Sequence, residues 1–287
     1  MTAEPTIGVD IGGTKLALGT LDRVTVRPTP ATADAIVQAI LSQVQPGTDI
    51  GICVAGRVDL DRGRTSAAHL PQLQDFALTD ALSAGGRRVR LINDADAAAL
   101  AEHQFGAARG AEVSLYVTIS TGIGAGLVIH GQPFLGARGQ AVELGHAGGG
   151  PPHLRCPCGR QGCIDLVSSG TALVRDVRRA LGQPDLTAQA ISTRAAQHDQ
   201  LVLAVVQEAA AALGQVIANA CVLFNPDVVV LGGGVIAGYG EIYAEPLRRA
   251  LRGSLGDWSV PEVRLAQLGQ NAGVFGALAF AGLDQLR

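Results

Sequence analysis

The sequence contains few aromatic residues, 3% of its 287 positions, and Lys15 is the single lysine among its 22 lysines and arginines. The formal net charge of −3 gives no basic footprint for nucleic acid or for an anionic membrane. Met1–Pro5 lacks the basic and apolar pattern of a signal peptide, and no apolar run reaches the roughly 18 residues of a membrane span. These absences predict a cytoplasmic protein that has neither nucleic acid nor a membrane as a partner.

Hydrophobic residues make up 47% of the chain, which is typical of a globular protein and not of a disordered one. The length allows two modest lobes, each with its own core. Strands alternate with helices along the chain, and this alternation predicts an α/β fold. Two strand pairs interrupted by small residues, in residues 6–21 and 115–129, resemble one another and favour a duplicated domain.

A glycine-rich turn between the first two predicted strands is a candidate phosphate-binding site. It reads Asp10-Ile11-Gly12-Gly13-Thr14-Lys15. Glycines let the backbone approach an anion and adopt positive φ, and an aspartate suits Mg²⁺, directly or through its waters. The spacing excludes a Walker A loop, in which lysine directly follows the second glycine, and a strand follows instead of the helix of a dinucleotide-binding fold. An ordinary glycine-rich β-turn is the alternative interpretation.

Two later clusters of small residues also interrupt or follow predicted strands. With the first turn, they would hold the phosphates from two sides and an adenosine from a third. They comprise Thr121, Gly122 and Gly124 in the second strand pair, and Gly232 and Gly233 after the apolar strand 227–231.

A candidate general base stands where a predicted strand ends and a helix begins, in Asn93-Asp94-Ala95-Asp96. Phosphoryl transfer to a hydroxyl requires a carboxylate that accepts the hydroxyl proton and aims the oxygen in line, and Asp94 is placed for this role. Asn and Asp are also the favoured N-caps of helices, so a purely structural role is the alternative. Asp96 could be the cap and leave Asp94 free.

Three of the five cysteines lie within eight residues, at Cys156, Cys158 and Cys163, in an irregular segment rich in Gly and Pro. Three thiolates with one imidazole suit tetrahedral Zn²⁺, and four protein ligands leave no open position, so the metal would be structural. Spacing alone does not choose between His146 and His153 as the nitrogen ligand. The remaining cysteines, Cys53 and Cys221, are predicted to be buried packing residues.

Together these motifs resemble the ROK family of bacterial sugar kinases and related repressors, from Ile7 to about Gly282. The resemblance implies an actin-like fold with a cleft between two lobes, a homodimer, and the use of ATP, Mg²⁺ and a structural Zn²⁺. The expected lobes are residues 1–93 with about 273–287, which carry the first phosphate hairpin, and residues 94–272, which carry the second and the zinc loop 143–165.

The matching motifs also imply a role for each site residue. Asp94 would be the catalytic base, and His146 would both bind zinc with the three cysteines and contact the sugar. The expected sugar contacts are Asn93, Asp94, Glu143, His146, Asp165 and His69, and the expected nucleotide contacts are Asp10, Gly12, Gly13, Thr14, Lys15, Thr121, Gly122, Gly232 and Gly233.

The sequence departs from the family pattern at several positions. Ala55-Gly56 replaces a Pro-Gly pair, and Ser120 replaces the first glycine of the second phosphate motif. His69 and Asp165 stand where family kinases commonly carry an asparagine and a glutamate that contact the sugar. The resemblance therefore supports phosphoryl transfer more strongly than it supports any particular sugar.

We expect an ATP-dependent hexokinase that phosphorylates the 6-hydroxyl of glucose or a related hexose. The alternatives are a kinase of an N-acetylated or other hexose, and a sugar-binding regulatory protein without catalysis. A different phosphoryl donor, such as polyphosphate, also stays open. A DNA-binding repressor is disfavoured because only nine residues precede Asp10.

Overall fold

The computed structural model describes residues 6–60, 62–66 and 70–283. His69, one of the expected sugar contacts, lies outside these residues. The chain divides into two compact units, called unit 1 and unit 2 below. Unit 1 comprises Met1–Gly110, Gly126–Val142 and Gln267–Arg287, and unit 2 comprises Ala111–Ala125 and Glu143–Ala266. These boundaries differ from the expected lobes, because residues 94–110 and 126–142 fall in unit 1.

A five-stranded sheet forms the centre of unit 1, with the order β3-β2-β1-β4-β8. β1 pairs antiparallel with β2 and parallel with β4, which is buried along its whole length, as expected for a central strand covered on both faces. A small antiparallel sheet, β5-β6-β7, lies in the same unit. The strands are β1 (Thr6–Ile11), β2 (Lys15–Gly19), β3 (Val24–Pro28), β4 (Asp49–Val54), β5 (Arg57–Asp59), β6 (Arg64–Ser66), β7 (Phe76–Ala77) and β8 (Val89–Asn93).

Glycines allow the last helix of unit 1 to lie directly on the sheet and on a neighbouring helix. A Cβ atom at Gly51 would come within 1.8 Å of the carbonyl oxygen of Ala277, and one at Gly276 within 1.8 Å of that of Ala97. No side chain fits at either contact, so the close packing requires glycine. The helices of this unit are α1 (Ala33–Leu41), α2 (Leu78–Leu82), α3 (Asp94–Phe105) and α10 (Ala272–Gly282).

The second five-stranded sheet repeats the topology of the first, with the order β11-β10-β9-β12-β13. β9 pairs parallel with β12, as β1 pairs with β4, and β12 pairs parallel with β13. This repeated order agrees with the duplication that the two similar strand pairs predict. The strands are β9 (Val113–Ile119), β10 (Ile123–Ile129), β11 (Gln132–Pro133), β12 (Val228–Gly232) and β13 (Glu262–Leu265).

The longest helix, α7, packs against α9 and α5 in unit 2. By length and composition alone α7 could cross a membrane, whereas the sequence led us to expect no segment long and apolar enough to do so. Half of its most apolar 18-residue stretch is buried inside the unit, as in the core helix of a globular protein. The helices of unit 2 are α4 (Asp165–Ser168), α5 (Gly170–Leu181), α6 (Ala188–Ala196), α7 (Gln200–Phe224), α8 (Gly234–Tyr239) and α9 (Glu241–Leu255).

Candidate active site and metal centre

The first glycine turn joins β1 to β2 in unit 1. The backbone N–H of Gly12 donates to the carbonyl of Lys15 at 2.9 Å, and the Thr29 hydroxyl donates to the carbonyl of Gly12 at 2.6 Å. A Cβ atom at Gly12 would lie 3.2 Å from the Lys15 carbonyl oxygen. Neither Gly12 nor Gly13 has a positive φ, although the sequence led us to expect one. Close approach of backbone to backbone is therefore the reason for glycine at Gly12.

Asp10 lies one residue before the end of β1, close to this turn, and its carboxylate has a different partner on each oxygen. The Cys53 thiol donates to Oδ1 at 3.4 Å, and the Lys15 ammonium lies 3.9 Å from Oδ2. Burial raises the pKa of the Asp10 carboxyl, while the Lys15 charge and the Cys53 hydrogen bond oppose that rise. Burial, followed by the negative charges of Asp10 and Asp94, raises the pKa of the Cys53 thiol well above its usual value. Cys53 therefore keeps its proton and acts as a donor.

Asn93 is the N-cap of α3. Its side-chain oxygen accepts from the backbone N–H groups of Ala95 at 2.8 Å and Asp96 at 3.4 Å, and its amide donates to the carbonyl of Gly56 at 2.8 Å. Asp94 is the first helical residue, and its Oδ1 also accepts from the backbone of Ala95, at 3.0 Å. The capping role considered for Asp94 or Asp96 thus belongs to Asn93.

The second glycine turn joins β9 to β10 in unit 2 and is held by side chains of two helices. Asp165 Oδ1 accepts from the backbone N–H of Ile123 at 2.7 Å, and the Thr171 hydroxyl donates to the carbonyl of Thr121 at 2.8 Å. A Cβ atom at Gly122 would lie 3.1 Å from Asp165 Oδ1. The carboxylate expected to contact the sugar therefore also orders this turn.

A cavity of about 990 Å³ opens beside the second glycine turn, within unit 2. Ser120 and Thr121 line one side of it, Arg175 and Arg178 of α5 line another, and Gly234 of α8 borders it. Apart from Arg175, Arg178 and Arg179 of α5, the lining residues are uncharged and mostly apolar, which suits a planar base and a sugar ring.

The third glycine cluster, Gly232 and Gly233, lies at the end of β12 and precedes Gly234, the first residue of α8, which borders the cavity. Gly233 has a φ of +91°, and a Cβ atom there would lie 2.4 Å from the carbonyl oxygen of Ile119. At Gly232 a Cβ atom would come within 2.3 Å of the hydroxyl of Tyr116. Both glycines are thus required by the local packing, and Gly233 is required by its backbone conformation as well.

The segment Glu143-Leu144-Gly145-His146, which carries two of the expected sugar contacts, forms a single 3₁₀ turn, Leu144–His146, after the exposed Glu143. The backbone N–H of His146 donates to the Glu143 carbonyl at 3.0 Å. A Cβ atom at Gly145 would lie 2.2 Å from the carbonyl oxygen of Ile123, so this glycine lets the turn pack against the start of β10. Gly145 and Asp165 thus both lie against Ile123, the first residue of β10, and Glu143 and His146 adjoin Gly145 in the same turn.

His146, Cys156, Cys158 and Cys163 form one cluster, with ligand atoms all within 4.8 Å of one another. The Cys158 and Cys163 sulfurs are 3.7 Å apart, and Cys156 Sγ lies 3.8 Å from His146 Nδ1. A tetrahedron with metal–sulfur bonds of about 2.3 Å has sulfur–sulfur edges of about 3.8 Å, so the donor set fits Zn²⁺. The group contains His146 and not His153, as the family resemblance implies.

The thiols of this cluster differ in their acidity. Burial raises the pKa of Cys163 to about 12 and also raises that of Cys156, whereas a backbone hydrogen bond from Arg160 lowers the pKa of Cys158. Without a cation, the Cys156 and Cys163 thiols would therefore keep their protons. A divalent metal binds thiolates, so its binding would release those protons.

Two contributions to the site were not anticipated from sequence. Cys53 contacts Asp10, although its apolar strand predicts a packing role. Gly273 of α10 packs against the same carboxylate, since a Cβ atom there would lie 2.9 Å from Asp10 Oδ2. The pairing of β1 with β4, which brings Cys53 opposite Asp10, carries no local sequence signal.

Comparison with known protein families places these motifs in context. The ROK family model matches residues 6–283. A glucokinase of Streptomyces coelicolor is 35% identical over 308 aligned residues, covering 96% of this chain and 97% of that protein. An N-acetylmannosamine kinase of Yersinia pestis is 32% identical, with 96% and 97% coverage.

Solved structures give the same assignment of the fold. A ROK hexokinase from Thermus thermophilus superimposes with a TM-score of 0.88 at 39% identity, covering 96% of both chains. A ROK family glucokinase from Streptomyces griseus, in complex with glucose and AMPPNP, superimposes with a TM-score of 0.79 at 34% identity, covering 96% of this chain and 98% of that one. The fold is therefore the actin-like α/β fold expected from the resemblance.

Proposed function

The chain belongs to the ROK family, and we propose that it is an ATP-dependent sugar kinase that transfers the γ-phosphoryl group to a hydroxyl of a hexose. Family membership and the glucokinase relatives support the reaction class. The observation that carries the proposal is the start of α3. Asn93 caps the helix, and Asp94 is its first residue, so the helix terminus holds the Asp94 carboxylate in place. A kinase needs its base at such a rigid position.

In this reaction Asp94 accepts the proton of the sugar hydroxyl as its oxygen attacks the γ-phosphorus. The bond between that phosphorus and the β,γ-bridging oxygen breaks, and ADP leaves. Asp10 would hold the Mg²⁺ of the nucleotide, directly or through water, and that ion would neutralise charge on the phosphates. Lys15 adds a positive charge beside Asp10.

We assign the nucleotide to the glycine turns and to the large cavity of unit 2. The phosphates lie on the turns that contain Gly12, Gly13 and Thr14, and Thr121 and Gly122. The adenosine occupies the cavity of about 990 Å³ that begins at Ser120 and Thr121 and is bordered by Gly234. Its position beside the second turn and the Gly232-Gly233 segment supports this assignment.

The sugar is held by hydroxyl contacts from Asn93, Glu143, His146 and Asp165, with His69 as a further contact. Asp165 is the notable member of this set, because its carboxylate already accepts a hydrogen bond from Ile123. The N-acetylmannosamine kinase relatives favour a second candidate, a kinase of an N-acetylated hexose that uses the same machinery. The catalytic base and the nucleotide contacts would be the same for a hexose and for an N-acetylated hexose.

The cysteine and histidine cluster would hold one structural Zn²⁺. Four protein ligands would leave that metal no open position for substrate. With Nδ1 of His146 on the metal, the other ring nitrogen keeps a fixed direction and can serve a sugar hydroxyl. The ion would thereby orient the His146 ring toward the sugar, and it would also hold the cysteine loop together.

We place the protein in the cytoplasm, where ATP is present and the five free cysteines stay reduced. We also propose a homodimer. Unit 2 exposes large apolar side chains near the end of α7 and after α9, with Leu223 exposed by 75% and Trp258 by 63%. These side chains are our candidates for the interface, since a dimer in which they meet would bury them together.

An ADP-release assay across hexoses, amino sugars and N-acetylated sugars tests the function. We expect Mg²⁺-dependent ADP release with at least one of these sugars, and far less with an Asp94→Asn variant under identical conditions. Release that does not depend on any sugar would identify an ATPase instead. Activity with polyphosphate but not with ATP would change the donor and keep the acceptor chemistry.

A further inference from the structure

Cys53 contacts the Asp10 carboxylate, and the proposed reaction gives this thiol no role. Asp10 and Cys53 are directly paired residues in the parallel register of β1 and β4, so their side chains lie on the same face of the sheet. The thiol is fully buried and donates to Asp10 Oδ1 at 3.4 Å. The Lys15 ammonium lies 3.9 Å from the other oxygen. The two oxygens of Asp10 are thus distinguished by their partners.

The backbone of α10 limits the space around this pair. A Cβ atom at Gly273 would lie 2.8 Å from the Asp10 Cγ and 3.0 Å from the Cys53 sulfur. The carboxylate and the thiol therefore pack directly on the helix, with no room for a further methyl group. Cys53 is the group in this niche that donates a hydrogen bond to Oδ1.

We propose that Cys53 is a positioning residue for Asp10, whose thiol fixes the carboxylate in the orientation that receives the Mg²⁺ of the nucleotide. This inference rests on the proposed kinase function. The terminal torsion of an aspartate is broad, so a carboxylate without a directional partner samples several orientations. The hydrogen bond selects one of them before the nucleotide binds, which lowers the cost of binding Mg·nucleotide.

The test compares Cys53→Ser with Cys53→Ala. Both variants remove the sulfur, and they differ only in a hydroxyl that can donate to Asp10. We expect Cys53→Ala to weaken Mg·ADP binding about 3- to 10-fold in titration calorimetry and to raise the Mg²⁺ concentration for half-maximal activity, the range expected for one net hydrogen bond. Cys53→Ser should recover most of this loss. The KM for the sugar should stay unchanged in both.

Cys221 supplies the matched control, because it is also buried but lies on α7 in unit 2. Cys221→Ser and Cys221→Ala should leave Mg·ADP affinity unchanged, and thermal melting of all four variants separates a loss of packing from a loss of the donor. Equal Mg·ADP affinities for Cys53→Ser and Cys53→Ala would overturn the inference.

The outcomes also separate this inference from the proposed function. If the wild-type protein binds Mg·ADP but phosphorylates no sugar, the kinase proposal fails, and the calorimetric comparison still decides the role of Cys53. If the wild-type protein does not bind Mg·ADP, both proposals fail.

Discussion

Asp165 Oδ1 accepts a hydrogen bond from the backbone N–H of Ile123 over 2.7 Å. Asp165 begins α4 directly after the cysteine loop, and Ile123 begins β10 directly after the second glycine turn. This bond links the metal loop to the phosphate turn within unit 2. Asp165, which stands where family kinases commonly carry a glutamate, is therefore held by the backbone of the second glycine turn.

Asp165→Glu should alter the sugar preference of the enzyme. The aspartate carboxylate reaches about 1.5 Å less far than that of a glutamate, and a hydrogen bond stretched by this amount is lost. We expect glucose not to be the best substrate of the wild-type protein, and Asp165→Glu with His69→Asn to raise kcat/KM for glucose relative to the other sugars. A wild-type kcat/KM for glucose above about 10⁴ M⁻¹s⁻¹ that no other sugar exceeds would show that the two departures are neutral.

Asp94→Asn should lower kcat by at least about 10²-fold, because it removes the positioned base. Asn93 supplies the helix cap, so the variant should melt close to the wild type and bind sugar nearly as well. Asn93→Ala is the structural comparison, and we expect it to cost about 1 kcal/mol of the free energy of unfolding through loss of the cap. Near wild-type turnover in a folded Asp94→Asn protein would reduce Asp94 to a structural role.

Local patterns predicted most of the regular structure. Apolar residues at helical spacing predict a helix at 201–223 and a last helix at about 272–283, and the structure has α7 and α10 there, each within about one residue of the predicted bounds. The two predicted strand pairs, in residues 6–21 and 115–129, are the observed pairs β1–β2 and β9–β10. Short-range periodicity and glycine turns carry this information in the sequence itself.

Contacts between distant segments could not be predicted in this way. Residues 126–142 and 267–283 join unit 1 through contacts with segments that are distant in sequence, and no composition change marks either boundary. The contact of Cys53 with Asp10 depends on strand register, and the choice of Asn93 over Asp94 as the cap depends on side-chain rotamers. The metal cluster was predictable because three of its four ligands are close in sequence.

The purified protein should contain one zinc ion per chain. Cys158→Ser should lose the metal and misfold, since structural zinc contributes on the order of 10 kcal/mol at neutral pH. His146→Ala should impair both metal retention and sugar binding, because its Nδ1 lies within the cluster. Elemental analysis of protein purified without chelator provides the measurement. His153→Ala is the control and should retain zinc, and equal loss in both histidine variants would show that the wrong histidine was chosen.

Sedimentation velocity at micromolar concentration should show a species of twice the 29.3 kDa chain mass. Leu223→Glu and Trp258→Glu should shift it toward the monomer, because a charge within an apolar interface is costly. Leu201→Glu is the control, since Leu201 is also exposed but lies at the opposite end of α7, about 30 Å away. A wild-type protein that sediments only as a monomer would refute the dimer.

Glu102→Gln should destabilise unit 1 strongly. The side chain is fully buried, and its Oε1 accepts from the backbone N–H groups of Gln267 and Leu268, both at 2.9 Å, while Oε2 accepts from that of Ala107 at 2.7 Å. These bonds join the end of α3 to the segment that leads into α10. A glutamine side chain has an NH₂ group in place of one carboxylate oxygen. A side-chain N–H would therefore face a backbone N–H at one of these contacts.

We expect this variant to lose about 2–4 kcal/mol of the free energy of unfolding, the cost of one lost charged hydrogen bond and one opposed donor pair. Denaturant titration measures the change, and amide exchange at either Ala107 or Gln267 and Leu268 should quicken, according to which oxygen becomes the amide. Asp22→Asn, an exposed carboxyl in the same unit, is the control and should change stability by less than about 0.5 kcal/mol. If Glu102→Gln is as stable as the control, the buried carboxylate does not hold the segment that precedes α10.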